Sequence, residues 1–143
     1  MEFTSLISIL AKIFYQSIEI MRKTKKNSAS DALVKLVVHG MQEKKATGIL
    51  VMDLRKVSNA FSDFFVICSA NSDTQVDAIK NSVEDEVYKA IQENAWHSEG
   101  QQQKEWILLD YSDVIVHIFR KDRRRFYGLE DLWGDAELTE IAD

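Results

Sequence analysis

The sequence predicts a single α/β domain, and three observations predict it. Two apolar runs in residues 106–119, Trp106-Ile107-Leu108-Leu109 and Val114-Ile115-Val116-His117-Ile118-Phe119, flank the polar stretch Asp110-Tyr111-Ser112-Asp113, the pattern of a buried β-hairpin. A long apolar stripe at helical spacing follows a capping box made by Ser72 and Gln75. The order strand, turn, long helix, further strands is that of an α/β unit whose crossover lays the helix on one sheet face. A chain of 143 residues suits one domain and can bury a real core.

Residues 1–20 place Phe3, Leu6, Ile7, Leu10, Ile13, Phe14 and Ile18 at helical spacing with a wide apolar stripe. No basic residues precede the run, as a secretory signal would need, and Lys12, Gln16 and Glu19 interrupt it before it could span a bilayer. Met21 follows at once. The preferred reading makes Met21 the biological start and residues 1–20 an upstream addition. The other is an amphipathic helix packing on the domain, on a second copy or on a membrane surface. Residues 1–27 are thus expected to be an extension, 28–135 the domain and 136–143 an acidic, frayed tail.

Ser28 and Asp31 resemble a capping box opening a helix through Leu33, Val34, Val37, Val38 and Met41, with Gly40 weakening it. Residues 48–54 read as one buried strand and residues 63–69 as a second, with Cys68 acting as a small hydrophobe. The capped helix then presents Val76, Ile79, Val83, Val87 and Ile91 on one side and Asp77, Lys80, Glu84, Asp85 and Lys89 on the other. Residues 96–99 suit a short edge strand before a polar loop. Beyond the hairpin, residues 120–125 form a basic run, and Phe126, Tyr127, Leu129, Leu132 and Trp133 anchor a terminal turn or helix.

Composition narrows the function. A single cysteine excludes an intrachain disulfide and fits a reducing compartment. Residues 1–30 carry five basic and two acidic side chains, so the remainder stands at −8 against a total of −5. An acidic domain binds phosphate backbones poorly and suits a basic protein surface. No glycine-rich loop follows a strand to cradle phosphates, and the histidines and Cys68 are too scattered for zinc. Asp53, Asp110 and Asp113 form a weak magnesium set, since aspartates beside a hairpin turn usually bond backbone N–H groups. What remains is recognition by Trp106, Tyr111 and Trp133, residue types that dominate interface energetics, with Asp110, Asp113, Glu130, Asp131 and Asp135 as an acidic rim.

The chain resembles the ribosomal silencing factor family, also called RsfS or Iojap. The matching pieces are Asp53-Leu54-Arg55, Asp63-Phe64-Phe65-Val66-Ile67, Ser72-Asp73-Thr74-Gln75-Val76, the hairpin of residues 106–119, Phe126-Tyr127, and Leu129-Glu130-Asp131-Leu132-Trp133-Gly134-Asp135. They cover roughly residues 31–135. The resemblance implies a mixed sheet flanked by helices, similar to nucleotidyltransferase domains, and a non-enzymatic cytoplasmic role without cofactor or metal. It implies binding to large-subunit ribosomal protein fourteen, so that subunit joining is blocked sterically and translation falls. Trp106, Leu108, Asp110, Tyr111 and His117, with Asp113 and Trp133, would form the contact. Relatives also allow a homodimer when free; no membrane partner is implied. The nucleotidyltransferase pattern, a Gly-Ser turn and two carboxylates one residue apart, is missing here. Arg123, Arg124 and Arg125 stand where many members look more acidic, which would add a minor contact to ribosomal RNA.

Overall fold

The computed structural model describes residues 2–128 and 134–143, and no side chains at residues 2–5 or 125–127. Helix α1 runs without a break from Glu2 to Glu43, so no helix begins at Ser28, which lies inside α1. The reason is local. Residues 21–32 contain no proline or glycine and are rich in Lys, Arg and Ala, so nothing ends the helix there. Thr24, a weak former, donates its hydroxyl to the Ile20 carbonyl at 2.8 Å within the helix. The chain leaves α1 at Lys45, which takes a left-handed φ of 58°.

Six strands follow: β1 (Thr47–Asp53), β2 (Phe64–Ala70), β3 (His97–Glu99), β4 (Trp106–Asp110), β5 (Val114–Arg120) and β6 (Glu137–Glu140). They form one sheet in the order β3-β4-β5-β2-β1-β6. Among the described residues only β2 and β5 pair in parallel, so the sheet is mixed, as expected. Helix α2 (Asp73–Ile91) carries the crossover, and α3 (Lys121–Tyr127) follows β5. Ser72 caps α2 by accepting from the Gln75 N–H at 3.1 Å. The Gln75 side chain closes the box on the Asn71 N–H at 2.7 Å. It also donates to the carbonyls of Lys44 and Lys45, so one residue ties the start of α2 to the end of α1.

The sheet separates two apolar layers. On one face α1 and α2 cover Val66, Cys68, Ile107, Leu109, Val116 and Ile118. Val76, Ile79, Val83 and Val87 of α2 are fully buried there, each contributing about 1.5–3 kcal/mol. On the other face Leu50, Met52, Phe65, Ile67, Ile115 and Phe119 form a second core, with Trp106 and Leu108 at its partly buried edge.

The C-terminal residues are not a frayed tail. β6 pairs with β1 in antiparallel register from Leu50↔Glu140 to Asp53↔Glu137, and Ile141 N–H reaches the Ile49 carbonyl at 2.9 Å. All four β6 residues are exposed, so no burial alternation marks the strand in the sequence. Its stabilisation is the backbone ladder that satisfies the outer side of β1.

Gly40 marks where α1 and α2 touch. A Cβ there would lie 2.8 Å from Val83 Cα and 3.2 Å from the Ser82 carbonyl, and Ser82 Oγ donates to the Gly40 carbonyl at 2.7 Å. Gly40→Ala gains helix propensity, but the obstruction is backbone and the helices must part. Urea unfolding is expected to show a net loss of about 1–2 kcal/mol. A gain in stability would mean that the helices are not in contact at this point.

Candidate functional site

The β4–β5 turn is fixed mainly by backbone. Tyr111 N–H donates to the Val114 carbonyl and Asp113 N–H to the Tyr111 carbonyl, both at 3.0 Å. Ser112 takes a left-handed φ of 73°, and its N–H donates to Asp110 Oδ1 at 2.7 Å. The Asp113 carbonyl accepts from Asp63 N–H, Phe64 N–H and Ser62 Oγ–H, all within 3.0 Å. The turn is therefore stapled to the start of β2.

Strand alternation decides which side chains meet. Trp106, Leu108 and Asp110 share the sheet face opposite α1 and α2. Across the pair lie Phe119, His117 and Ile115 respectively. Trp106 stacks on Phe119 with ring centres 5.0 Å apart, and its indole Nε1–H donates to His117 Nδ1 at 3.0 Å. His117 is 3% exposed and sits edge-on to Phe65. Because Nδ1 accepts, the ring proton of neutral His117 is on Nε2. That nitrogen has no hydrogen-bond partner among the described residues. Burial holds the His117 pKa down at about 3. His117 is thus a buried, neutral brace that fixes the plane of Trp106.

Tyr111 does not join this group. It lies an odd number of positions from Trp106, faces α1 and α2 with Ile107 and Leu109, and is 7% exposed. Its hydroxyl has no partner among the described residues, and burial raises its pKa. In this structure it offers neither aromatic area nor a hydrogen bond beside Trp106. The Asp113 carboxylate turns toward α1, 3.4 Å from Lys26 Nζ. Trp133, with Glu130 and Asp131 of the expected rim, lies outside the described residues.

Residues of the short edge strand, not among the expected contact residues, also reach the face of Trp106. β3 pairs His97 with Asp110 and Glu99 with Leu108, which puts both on the Trp106 face. His97 Nε2 lies 2.8 Å from Glu99 Oε1. Trp96, just before β3, is 79% exposed, and its backbone N–H donates to the Asp110 carbonyl at 2.9 Å. A tryptophan in a polar stretch beside a three-residue strand was the available signal.

The carboxylates weighed for magnesium have other work. Asp53 accepts Arg55 Nε and Nη2 at 3.0 and 2.7 Å, and this hydrogen-bonded pairing holds its carboxyl below the ordinary range. Asp110 binds the Ser112 N–H, and Asp113 faces Lys26. Among the described residues no group of three or more His, Cys, Asp or Glu side chains is placed to hold a metal ion. Cys68 is buried, and desolvation pushes its thiol up to about 12, so it serves as a core residue.

Three arginines of the basic run are engaged as well. Arg120 reaches Asp122 at 2.7 Å and Asp73 at 3.2 Å, tying the start of α3 to the start of α2. Arg123 lies 3.6 Å from Glu105, and Arg124 donates to Ser69 Oγ at 2.9 Å and to the Gly48 carbonyl.

His117 predicts a pH signature. Its folded pKa lies below the unfolded value of roughly 6.5, so its contribution is present above that pH and is lost as pH falls toward about 3. From pH 7 to pH 5 the loss is about 2 kcal/mol in denaturant unfolding. His117→Gln keeps an acceptor for Trp106 but does not titrate, so that component of the slope disappears. An unchanged slope would show that the ring is not buried neutral.

Comparison with known proteins supplies the context. A family model described as "RsfS: Ribosomal silencing factor during starvation" matches residues 26–143. The chain is 39% identical over 116 residues to "Ribosomal silencing factor RsfS" of Halalkalibacterium halodurans, covering 79% of this chain and 95% of that one. The Bacillus subtilis protein of the same name is 39% identical over 111 residues, 77% of this chain and 92% of that one. A crystal structure from Bacillus halodurans aligns with a TM-score of 0.67 at 34% identity, covering 78% of this chain and 99% of that one. The family model takes in β6 as well as the hairpin and starts inside α1, at residue 26. This chain belongs to the RsfS family of ribosomal silencing factors.

Proposed function

We propose that the chain binds the large ribosomal subunit through ribosomal protein fourteen and blocks subunit joining by occupying space. The observation that carries this is the fixed, partly exposed face of Trp106, Leu108 and Asp110 on β4. Its indole is held in one plane by His117 and Phe119 before any partner arrives. Preorganised aromatic area loses little entropy on binding and so makes a good anchor. Asp110 Oδ1 accepts from Ser112, which orients the carboxylate toward a basic partner. Family membership supports a ribosomal partner, and the acidic balance of residues 31–143 suits a basic ribosomal protein. Trp96, His97 and Glu99 extend the same edge and would form its rim. The role needs no catalysis, and Asp53 and Asp113 are engaged within the chain by Arg55 and Lys26. It places the protein in the cytoplasm, with the ribosomes.

The test is sedimentation of purified subunits with the protein at a magnesium concentration that permits joining. The protein should travel with the large subunit, and free subunits should replace joined ribosomes. Trp106→Ala should weaken binding by about 2 kcal/mol or more while a circular dichroism melt still shows a folded domain. Tyr111→Phe should bind as well as the parent, because its hydroxyl faces the helices. Protein left at the top of the gradient, with joining intact, would end the proposal. A Tyr111→Phe defect equal to that of Trp106→Ala would relocate the contact.

A further inference from the structure

The first half of α1 has a surface that the domain leaves bare. From residue 6 to residue 26 every side chain is exposed except Ile18, which is half-buried. Among them are Leu6, Ile7, Ile9, Leu10, Ile13, Ile20 and Met21, and Phe14 at 69% exposure. The helical repeat of 3.6 residues sorts them. These residues and Ile18 cover about half of the circumference. Ser8, Lys12, Gln16, Glu19 and Lys23 share the opposite strip. Ser17 is the one polar side chain of residues 6–21 that falls within the apolar arc. Its hydroxyl donates to the Ile13 carbonyl at 3.0 Å, so it is satisfied inside the helix. Directly after the apolar segment come Arg22, Lys23, Lys25 and Lys26, and of these Lys26 faces Asp113.

Three features identify the surface that covers this arc. It is too wide for the narrow seam of a two-helix coiled coil, which would leave part of it in water. The basic cluster calls for a negative partner, and the same helix of a second copy brings the same positive charges. No helix among the described residues is long and apolar enough to cross a membrane. A wide apolar arc, a polar strip and an adjacent basic cluster together fit the boundary between headgroups and acyl chains of an acidic bilayer.

We propose that residues 6–26 bind the surface of an anionic lipid bilayer as an interfacial helix lying in the plane of the membrane. The apolar arc enters the acyl boundary, and Arg22, Lys23 and Lys25 meet the headgroups. This attachment is separate from the Trp106 surface and does not depend on ribosome binding.

The test is flotation of the full-length protein with two kinds of vesicle at low salt, pure phosphatidylcholine and phosphatidylcholine containing about 30% phosphatidylglycerol. The protein should float with the second and not with the first. The double variant Ile13→Glu, Phe14→Glu should remain at the bottom. The triple variant Arg22→Gln, Lys23→Gln, Lys25→Gln should partition on the order of tenfold to a hundredfold more weakly. Both should still behave as the parent in the subunit-sedimentation experiment, and Trp106→Ala should float normally. The proposal is overturned if the parent does not float, or if the double variant floats equally well. It is also overturned if sedimentation velocity shows that Ile13 and Phe14 drive self-association while vesicles recover nothing.

Discussion

The parallel pairing of β2 with β5 is the constraint from which the architecture follows. It runs in register from Phe64↔Val114 to Ala70↔Arg120 at the middle of the sheet. Parallel neighbours cannot be joined by a tight turn, so the chain must cross over, and α2 does so. α1 packs beside α2 on the same face, and the Gly40–Val83 approach sets how closely. Both long helices lie on one side of the sheet, and on the other Trp106 and Leu108 are partly exposed beside a fully buried Phe119.

Much of the fold was legible because it is written in burial. The hairpin, β1, β2 and α2 all announce themselves by apolar spacing, and the Ser72–Gln75 cap appears where the sequence places it. Elements that draw stability from backbone or continuity were not legible. β6 buries no side chain fully, and α1 runs on through Ser28, where the capping-box pattern suggested a new helix. The site shows the same division. Trp106, Leu108 and Asp110 were readable as one face by alternation, and the same rule puts Tyr111 on the other. The His117–Trp106 bond depends on cross-strand register, which single-strand patterns do not reveal.

Ion pairs in this chain tie elements together more than they present charge. Arg120 links the starts of α2 and α3, Arg124 bridges β1 and β2, and Arg55 closes the loop after β1 while lying 4.7 Å from the Phe64 ring centre. A run that looks like a basic patch in sequence is, for its described side chains at 120, 123 and 124, a set of internal braces. Arginine suits this use because its planar fork donates in several directions at once. The acidic character of the surface follows in part, since these positive charges face carboxylates or carbonyls of the same molecule.

The Asp113 carbonyl gathers three donors, and every one of them binds main chain at residue 113. Its geometry is therefore uncoupled from the identity of the side chain there. The tip of the hairpin can change its chemistry over evolutionary time without moving the strand that presents Trp106. A lineage could retune what the tip meets, residue by residue, while the anchor stays in register. Rigidity built from backbone is in this sense what leaves the surface free to diverge.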